Sequence, residues 1–471
     1  MLKKSILIFF VTFLFIESYP LQSKADECKV FEKAIIAKDS ESDGHEERND
    51  IGLFFDYEWK KNQKILAIKR NENDYPIIRL SFLENKIPSG SIIKSINGID
   101  LSEVNDNEII KLQKNSSKAN LEIFGISEQI TIEPKEYELL NFNIEFDINS
   151  IIEINTMEGF FELDYIYWSI YKRNDWKDEG KIIGTDITCS FKDSTYEEIQ
   201  NPQKEIELLQ FNMNQDEIYE AQNFSVMKKT NDVVSTHQTS GKANIRSDFN
   251  FEKFPFDEQK LFIRVQSHGD INLEPEIESK PYLYLLSPET NTFLNTERYK
   301  KQNYLKEWEI IDYEVANYFK SINIYSAINP ENLINYKTDN LDIILTVERQ
   351  HKYYLYKIII PVFLILLIAW SVLWIPTHRI EERLTTSIVS LLALIAYNFV
   401  FQDEIPKLNI LTSLDKFILL SYLFCSVPIF MTIFLSRFVT ANQKRATLFN
   451  RRMREWGGII YLLTNFQIFY L

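Results

Sequence analysis

Four apolar runs crowd the C-terminal part of this chain, at residues 353–375, 382–402, 414–438 and 456–471. A helix needs about 20 such residues to cross the hydrocarbon of a bilayer, and the first run meets that length almost without a polar interruption. A core helix of a soluble protein can be apolar all round, but four such runs in close succession point to a membrane domain. The remainder has the opposite character. The whole sequence is 45% hydrophobic yet carries a formal net charge of -15, figures compatible only when the apolar residues are gathered into their own segments. That acidic balance argues against nucleic-acid binding.

The N-terminus sets a direction. Met1-Leu2-Lys3-Lys4, an apolar stretch from Ser5 to Ile16 and the small residues of Ser23-Lys24-Ala25 have the order of a secretory signal over residues 1–25. Their apolar stretch is too short for a first membrane helix, so the chain beyond residue 25 is expected to enter an extracytoplasmic space. Charge agrees. Thr377-His378-Arg379 and the stretch from Arg437 to Arg454 are basic, and basic loops stay in the cytoplasm. Of the three cysteines, Cys425 lies in an apolar run, which leaves Cys28 and Cys189 as external thiols, either paired or free.

In the second run Glu382, Thr385, Val389, Leu392, Ala396, Phe399 and Asp403 recur at alternating spacings of three and four. They form one stripe down one helix face. It is acidic at both ends, hydroxylated near the inner end and apolar between. A packed seam gives the same spacing, but it has no need of a carboxylate at each end, and ionisable groups at membrane depth face water or a partner. Around a symmetry axis, Glu382 and Asp403 become rings that attract cations, while Leu392 and Phe399 become apolar constrictions that dewet. One helix cannot enclose a pore, so this reading requires cyclic assembly.

Tyr353-Tyr354-Leu355, Pro361, Ala369-Trp370-Ser371-Val372 and Trp374, followed by Glu382-Arg383-Leu384 and Pro406, resemble the membrane domain of the prokaryotic pentameric ligand-gated ion channels. Upstream, Phe254-Pro255-Phe256-Asp257-Glu258-Gln259 resembles the loop that gives the animal members of this Cys-loop receptor superfamily their name. Ser247 and Leu261 stand where the animal proteins carry cysteines. The resemblance covers residues 141–471 and implies a multidomain membrane protein. Its parts would be an immunoglobulin-like β-sandwich ligand-binding domain at 140–350 and a four-helix transmembrane bundle at 351–471, assembled as a homopentamer. Strand-like alternation in Phe142 to Ile148 and Phe160 to Ile170 supports the sandwich independently. Trp176 and Trp308 read as core aromatics.

The same resemblance puts a gating interface where sandwich meets membrane. It involves Glu153 and Ile154, the loop Phe254, Pro255, Phe256 and Asp257, then Arg349, and the linker residues Pro406 and Lys407. A carboxylate partner for Arg349, either Asp257 or Glu153, is physically reasonable, as a static anchor or as a coupling element. An agonist site between subunits would draw on Phe211, His268, Tyr318, Tyr325 and Tyr336. Such tyrosines are suited to caging a cation and equally to ordinary packing. The agonist stays open among an amine, a proton and none. Modulation by calcium or protons is compatible with the many carboxylates, but no dedicated loop of calcium ligands, other metal site or cofactor motif stands out.

Residues 45–136 lie outside that resemblance. Ile51-Gly52-Leu53-Phe54-Phe55, the run Ile87 to Gly98 with its Ser-Ile-Asn-Gly hairpin, Glu108-Ile109-Ile110 and the segments Ala119 to Phe124 and Gln129 to Glu133 resemble a PDZ-like α+β domain. Gly90-Ser91 replaces the usual Gly-Asp. Such a domain would receive a peptide's C-terminal carboxylate on the backbone of Ile51, Gly52, Leu53 and Phe54, or act as a cap packed on the sandwich. An enzyme is not indicated: His45-Glu46-Glu47-Arg48 lacks the second histidine of a zinc protease, and no Gly-x-Ser-x-Gly elbow occurs.

The expectation is therefore a subunit of a homopentameric, cation-selective, ligand-gated channel of the bacterial inner membrane, with its N-terminal domains in the periplasm. Its partners would be membrane lipid, monovalent cations and an agonist. The alternative is a non-conducting envelope receptor or scaffold that holds peptides through its PDZ-like domain.

Overall fold

A computed structural model describes residues 28–29, 46–83, 86–115, 118–173, 187–191, 206–207, 214–227, 232–267, 282–301, 305–325, 333–401, 410–439 and 443–470. Alternation decides the central part. Along the strand Lys135–Asn155, Phe142, Ile144, Phe146 and Ile148 are buried while intervening residues face outward. The strand Glu258–Ser267 buries Leu261, Ile263 and Val265 in the same way. A period of two gives each strand one apolar face, and two such faces close on one another. One sheet runs in the order Glu46–Asp50, Lys135–Asn155, Phe160–Arg173, Asp232–Arg246, Asn214–Met227, Ile187–Phe191, with Tyr282–Pro288 paired to Lys135–Asn155. Facing it lie Ile206–Glu207, Glu258–Ser267, Leu333–Arg349 and Trp308–Tyr325. The shared core includes Phe142, Phe146, Tyr165, Ile263, Leu341, Ile343 and Trp308.

The N-terminal unit is mixed α and β around a separate core of Ile51, Leu53, Ile68, Ile78, Ile93, Ile96, Leu101, Ile109 and Leu121. Its Asn97-Gly98 pair has positive φ at both residues and joins strands in which Ile96 faces Ile99, the geometry a tight two-residue hairpin demands. The helix Asp106–Asn115 starts where the Asn105 side chain accepts the Glu108 amide at 3.0 Å, a side-chain cap. Strand Glu46–Asp50 leaves this unit and pairs antiparallel with the sandwich, Glu46 opposite Leu139.

Further contacts hold the unit on the sandwich. Trp59 stacks on Phe293 at 4.5 Å and 7°. Leu80 joins Tyr137, Leu139, Leu283 and Leu285 in a small apolar cluster. Arg79 forms a buried ion pair with Asp339, donates to the Leu286 carbonyl at 3.0 Å and lies over the Phe319 ring.

Strand Leu333–Arg349 runs almost directly into the first of four helices among the described C-terminal residues. Lys352–Trp374, Ile380–Val400 and Ser413–Arg437 are long and apolar enough to cross a membrane. The fourth helix, Gln443–Tyr470, begins well upstream of the apolar run at Trp456. Its first half was not legible as part of a membrane run because Lys444, Arg445, Arg451, Arg452 and Arg454 interrupt it, yet Ala446 still packs with Trp370, Leu373, Met431 and Leu435. Cys28 is disulfide-bonded, whereas Cys425 is a buried free thiol inside the helical region.

Candidate pore and gating junction

Helix Ile380–Phe401 has two contrasting faces. Arg383, Ser387, Ser390 and Leu394 are buried against neighbouring helices, and half-buried Tyr397 continues that row. On the other side Glu382, Thr385, Val389, Leu392, Ala396 and Phe399 are all exposed, Leu392 at 66% and Phe399 at 68%. The stripe read from spacing thus lies on the exposed side of the helix, which also carries Ile388, Ile395 and Val400. Asp403, the stripe's second acidic member, lies outside the described residues, as do Pro406, Lys407, Phe211 and His268.

The helix is anchored from its buried side. Hydroxyls of Thr386, Ser387 and Ser390 donate to carbonyls four residues back, which satisfies them inside the helix as a nonpolar setting requires. Arg383 is fully buried and donates to Asn450 Oδ1 at 2.9 Å, while Asn450 donates to the Leu373 carbonyl at 2.7 Å. This network fastens the N-terminal end of the helix to the fourth helix and to the end of the first. Glu382 itself is exposed beside Arg379, at 3.3 Å.

At the other end, Arg349 grips Asp257 at two points, Nε to Oδ1 at 2.7 Å and Nη2 to Oδ2 at 3.1 Å. Both are almost fully buried. Gln259 donates to the same carboxylate at 2.5 Å, and the guanidinium lies over the rings of Trp308 at 4.2 Å and Phe254 at 4.9 Å. Of the two carboxylates suggested by sequence, Asp257 is the partner. Glu153 is exposed in the hairpin opposite Glu162, and Ile154 packs half-buried against the sandwich core.

The loop carrying Asp257 reaches the membrane helices directly. Phe254 sits in a cluster with Ile358, Val362, Leu414 and Phe417, Pro255 is buried, and the Phe256 ring lies 5.0 Å from that of His351. Two contacts here escaped the sequence reading. The amides of Ser413 and Leu414, at the start of the third helix, donate to the carbonyls of Glu252 at 2.9 Å and Phe254 at 3.1 Å. First-turn amides have no intrahelical acceptor, so the loop supplies one. The signal was available in Thr412-Ser413-Leu414-Asp415, a reciprocal cap in which Thr412 and Asp415 bond each other's backbone amides.

The tyrosines proposed for an agonist cage do not all point to one use. Tyr318 donates to Asp342 at 3.1 Å, beside a two-point Arg264–Asp342 pair at 2.7 Å. Burial and the Asp342 charge push its hydroxyl up to about 12. It is a member of a strand-to-strand network. Tyr325 and Tyr336 lie on adjacent paired strands, Trp308–Tyr325 and Leu333–Arg349. In the same sandwich, burial pushes the His237 imidazole down to about 4.

In the N-terminal unit Ile51 and Leu53 are buried, and Phe54 is half-buried opposite Leu80. The Gly52 amide, which would have to meet a peptide carboxylate, donates to Asp50 Oδ1 at 2.9 Å, and Tyr137 donates to the same oxygen at 2.8 Å. A carboxylate from the chain itself already occupies this position.

Comparison with known proteins adds to this geometry. Residues 358–457 match the family described as the neurotransmitter-gated ion-channel transmembrane region. A protein named proton-gated ion channel from Gloeobacter violaceus is 25% identical over 237 residues, 49% of this chain and 57% of that protein. The gamma-aminobutyric acid receptor subunit gamma-1 of Rattus norvegicus is 20% identical over 203 residues, 43% of this chain and 38% of the receptor subunit. The chain thus spans less than two thirds of either relative, and both are channel or receptor proteins rather than enzymes. Over residues 358–457 the chain is thus similar to the transmembrane region of the neurotransmitter-gated ion channels.

Proposed function

We propose that this chain is one subunit of a homopentameric, cation-selective channel of the bacterial inner membrane. In this reading the β-rich part stands in the periplasm, all four C-terminal helices cross the bilayer, and helix Ile380–Phe401 lines the pore. The observation that carries it is the exposed face of Glu382, Thr385, Val389, Leu392, Ala396 and Phe399 opposite a packed face. Copies arranged around an axis would turn that face toward water and make Leu392 and Phe399 its narrow apolar part. The Arg349–Asp257 clamp and the loop carbonyls on Ser413 and Leu414 give the outer domain a rigid grip on the membrane helices.

Protons are the agonist this reading favours, because one relative is named a proton-gated channel and the sandwich holds a buried histidine. Calcium and amines are the alternatives. A peptide-holding scaffold is disfavoured by Asp50, which occupies the Gly52 amide. The deciding experiment is current recording from the purified protein in liposomes, with steps in pH, calcium and amine concentration under a sodium gradient. Cation current that tracks one of these supports the reading; silence under all of them, with peptide binding retained, would hand the case to the scaffold.

A further inference from the structure

The first membrane helix is irregular near its outer end. Residues Leu355–Ile359 form a π-turn, in which the Ile360 amide reaches back to the Leu355 carbonyl. The next residue is Pro361. Proline has no amide hydrogen, so Pro361 can serve neither Lys357, its acceptor in the α register, nor Tyr356, its acceptor in the π register of the preceding turn. In hydrocarbon, or at its edge, an unsatisfied backbone carbonyl is costly. The Tyr397 hydroxyl, from the pore helix, donates to the Lys357 carbonyl.

From this geometry we infer that Tyr397 is a positioning residue for the pore helix: its hydroxyl replaces the donor that Pro361 removes and ties the outer half of that helix to the first. The inference deepens the channel reading and rests on it only for its consequence in gating. Tyr397 closes the buried row Arg383, Ser387, Ser390 and Leu394, so its side chain leaves the pore helix on the packed side. The inner end is held by Arg383 and Asn450. Tyr397 is the matching fixture at the outer end. Lys357 is kept at this level by its own side chain, which lies over the Tyr353 ring at 4.4 Å and donates to its hydroxyl at 3.3 Å. An outward or rotary displacement of the outer half of the pore helix therefore has to break the Tyr397 bond.

The test is a cycle of Tyr397→Phe, Pro361→Ala and the double variant, each in a Cys425→Ser background. A reporter, Val400→Cys, lies on the same helix at 75% exposure. The rate of its modification by a small thiol reagent reads helix position without any need for current. Tyr397→Phe is expected to raise that rate about fivefold, the equivalent of one ordinary hydrogen bond. Pro361→Ala restores an amide at this level, which reaches Lys357 once the helix takes the α register, so adding Tyr397→Phe to it should change less than in the wild type. Equal effects of Tyr397→Phe in both backgrounds would overturn the inference, as would an unchanged rate in the single variant, which decides alone if Pro361→Ala fails to assemble. Where the wild type conducts, the activation midpoint should move with the modification rate. A protein that never conducts, but whose rates obey the cycle, would refute the channel reading and leave the Tyr397 tie intact.

Discussion

Arg349 and Asp257 meet at two points inside the protein, one on the last strand of the sandwich and the other on the loop that touches the first and third membrane helices. Removing either partner leaves the other as a buried charge, a loss of roughly 3–5 kcal/mol. Arg349→Ala and Asp257→Ala are each expected to lower the thermal midpoint of the purified protein, and the double variant to lose less than the sum of the two. Arg349→Lys should not rescue the midpoint, because an ammonium cannot reproduce the two-point grip.

Leu392 stands at the middle of the exposed stripe, where a ring of apolar side chains would exclude water. Leu392→Ser is expected to leave the protein conducting without agonist, read as a standing leak in liposomes. A current indistinguishable from wild type would move the constriction elsewhere along the stripe.

Glu382 is exposed at the N-terminal end of the same face, paired only with its helical neighbour Arg379 among the ion pairs it makes in the described residues. Glu382→Gln should weaken cation preference and Glu382→Lys should reverse it, both as shifts of reversal potential under a salt gradient. Stability should hardly change, since exposed pairs contribute about 0–1 kcal/mol.

His237 ties stability to pH. Its folded value lies near 4 and its ordinary value at 6.5, so the unfolded chain takes up the proton first. The contribution is complete above pH 6.5 and is lost as pH falls toward 4, amounting to about 3 kcal/mol at most. His237→Gln should flatten the thermal midpoint across this window. If protons act through His237, the activation curve will shift in the same variant.

Gly457, on the fourth helix, lies against Trp370 of the first. A Cβ built there would lie 2.3 Å from Trp370 Cη2. Gly457→Leu must push the helices apart, and the expected result is a lower midpoint and weaker assembly by size-exclusion chromatography. Gly458→Leu, facing open space, is its control.

Local chemistry was the legible part of this protein. The stripe from Glu382 to Phe399, the Asn97-Gly98 hairpin and the Phe254–Asp257 loop each rest on residues close in sequence. Asp257 was nameable as a partner of Arg349, but Glu153 was equally so, because strand alternation does not say which hairpin end turns toward a distant arginine. The Arg79–Asp339 pair was invisible for a related reason: nothing near either residue announces a partner in another structural unit. Tyr318 was ambiguous for a different reason. An aromatic hydroxyl suited to a ligand is equally suited to Asp342, and only the strand register brings Asp342 beside it.

The strand Glu46–Asp50 lies along residues 135–139 of the sandwich, and Arg79 neutralises a carboxylate buried among the sandwich strands. Cutting the chain before residue 135 would therefore bare a ready-made sheet edge and strand a charge in the interior. The front unit is not a detachable cassette. A shortened protein would be prone to sticking to its own copies, and any change in gating it showed would first have to be separated from damage to the sandwich.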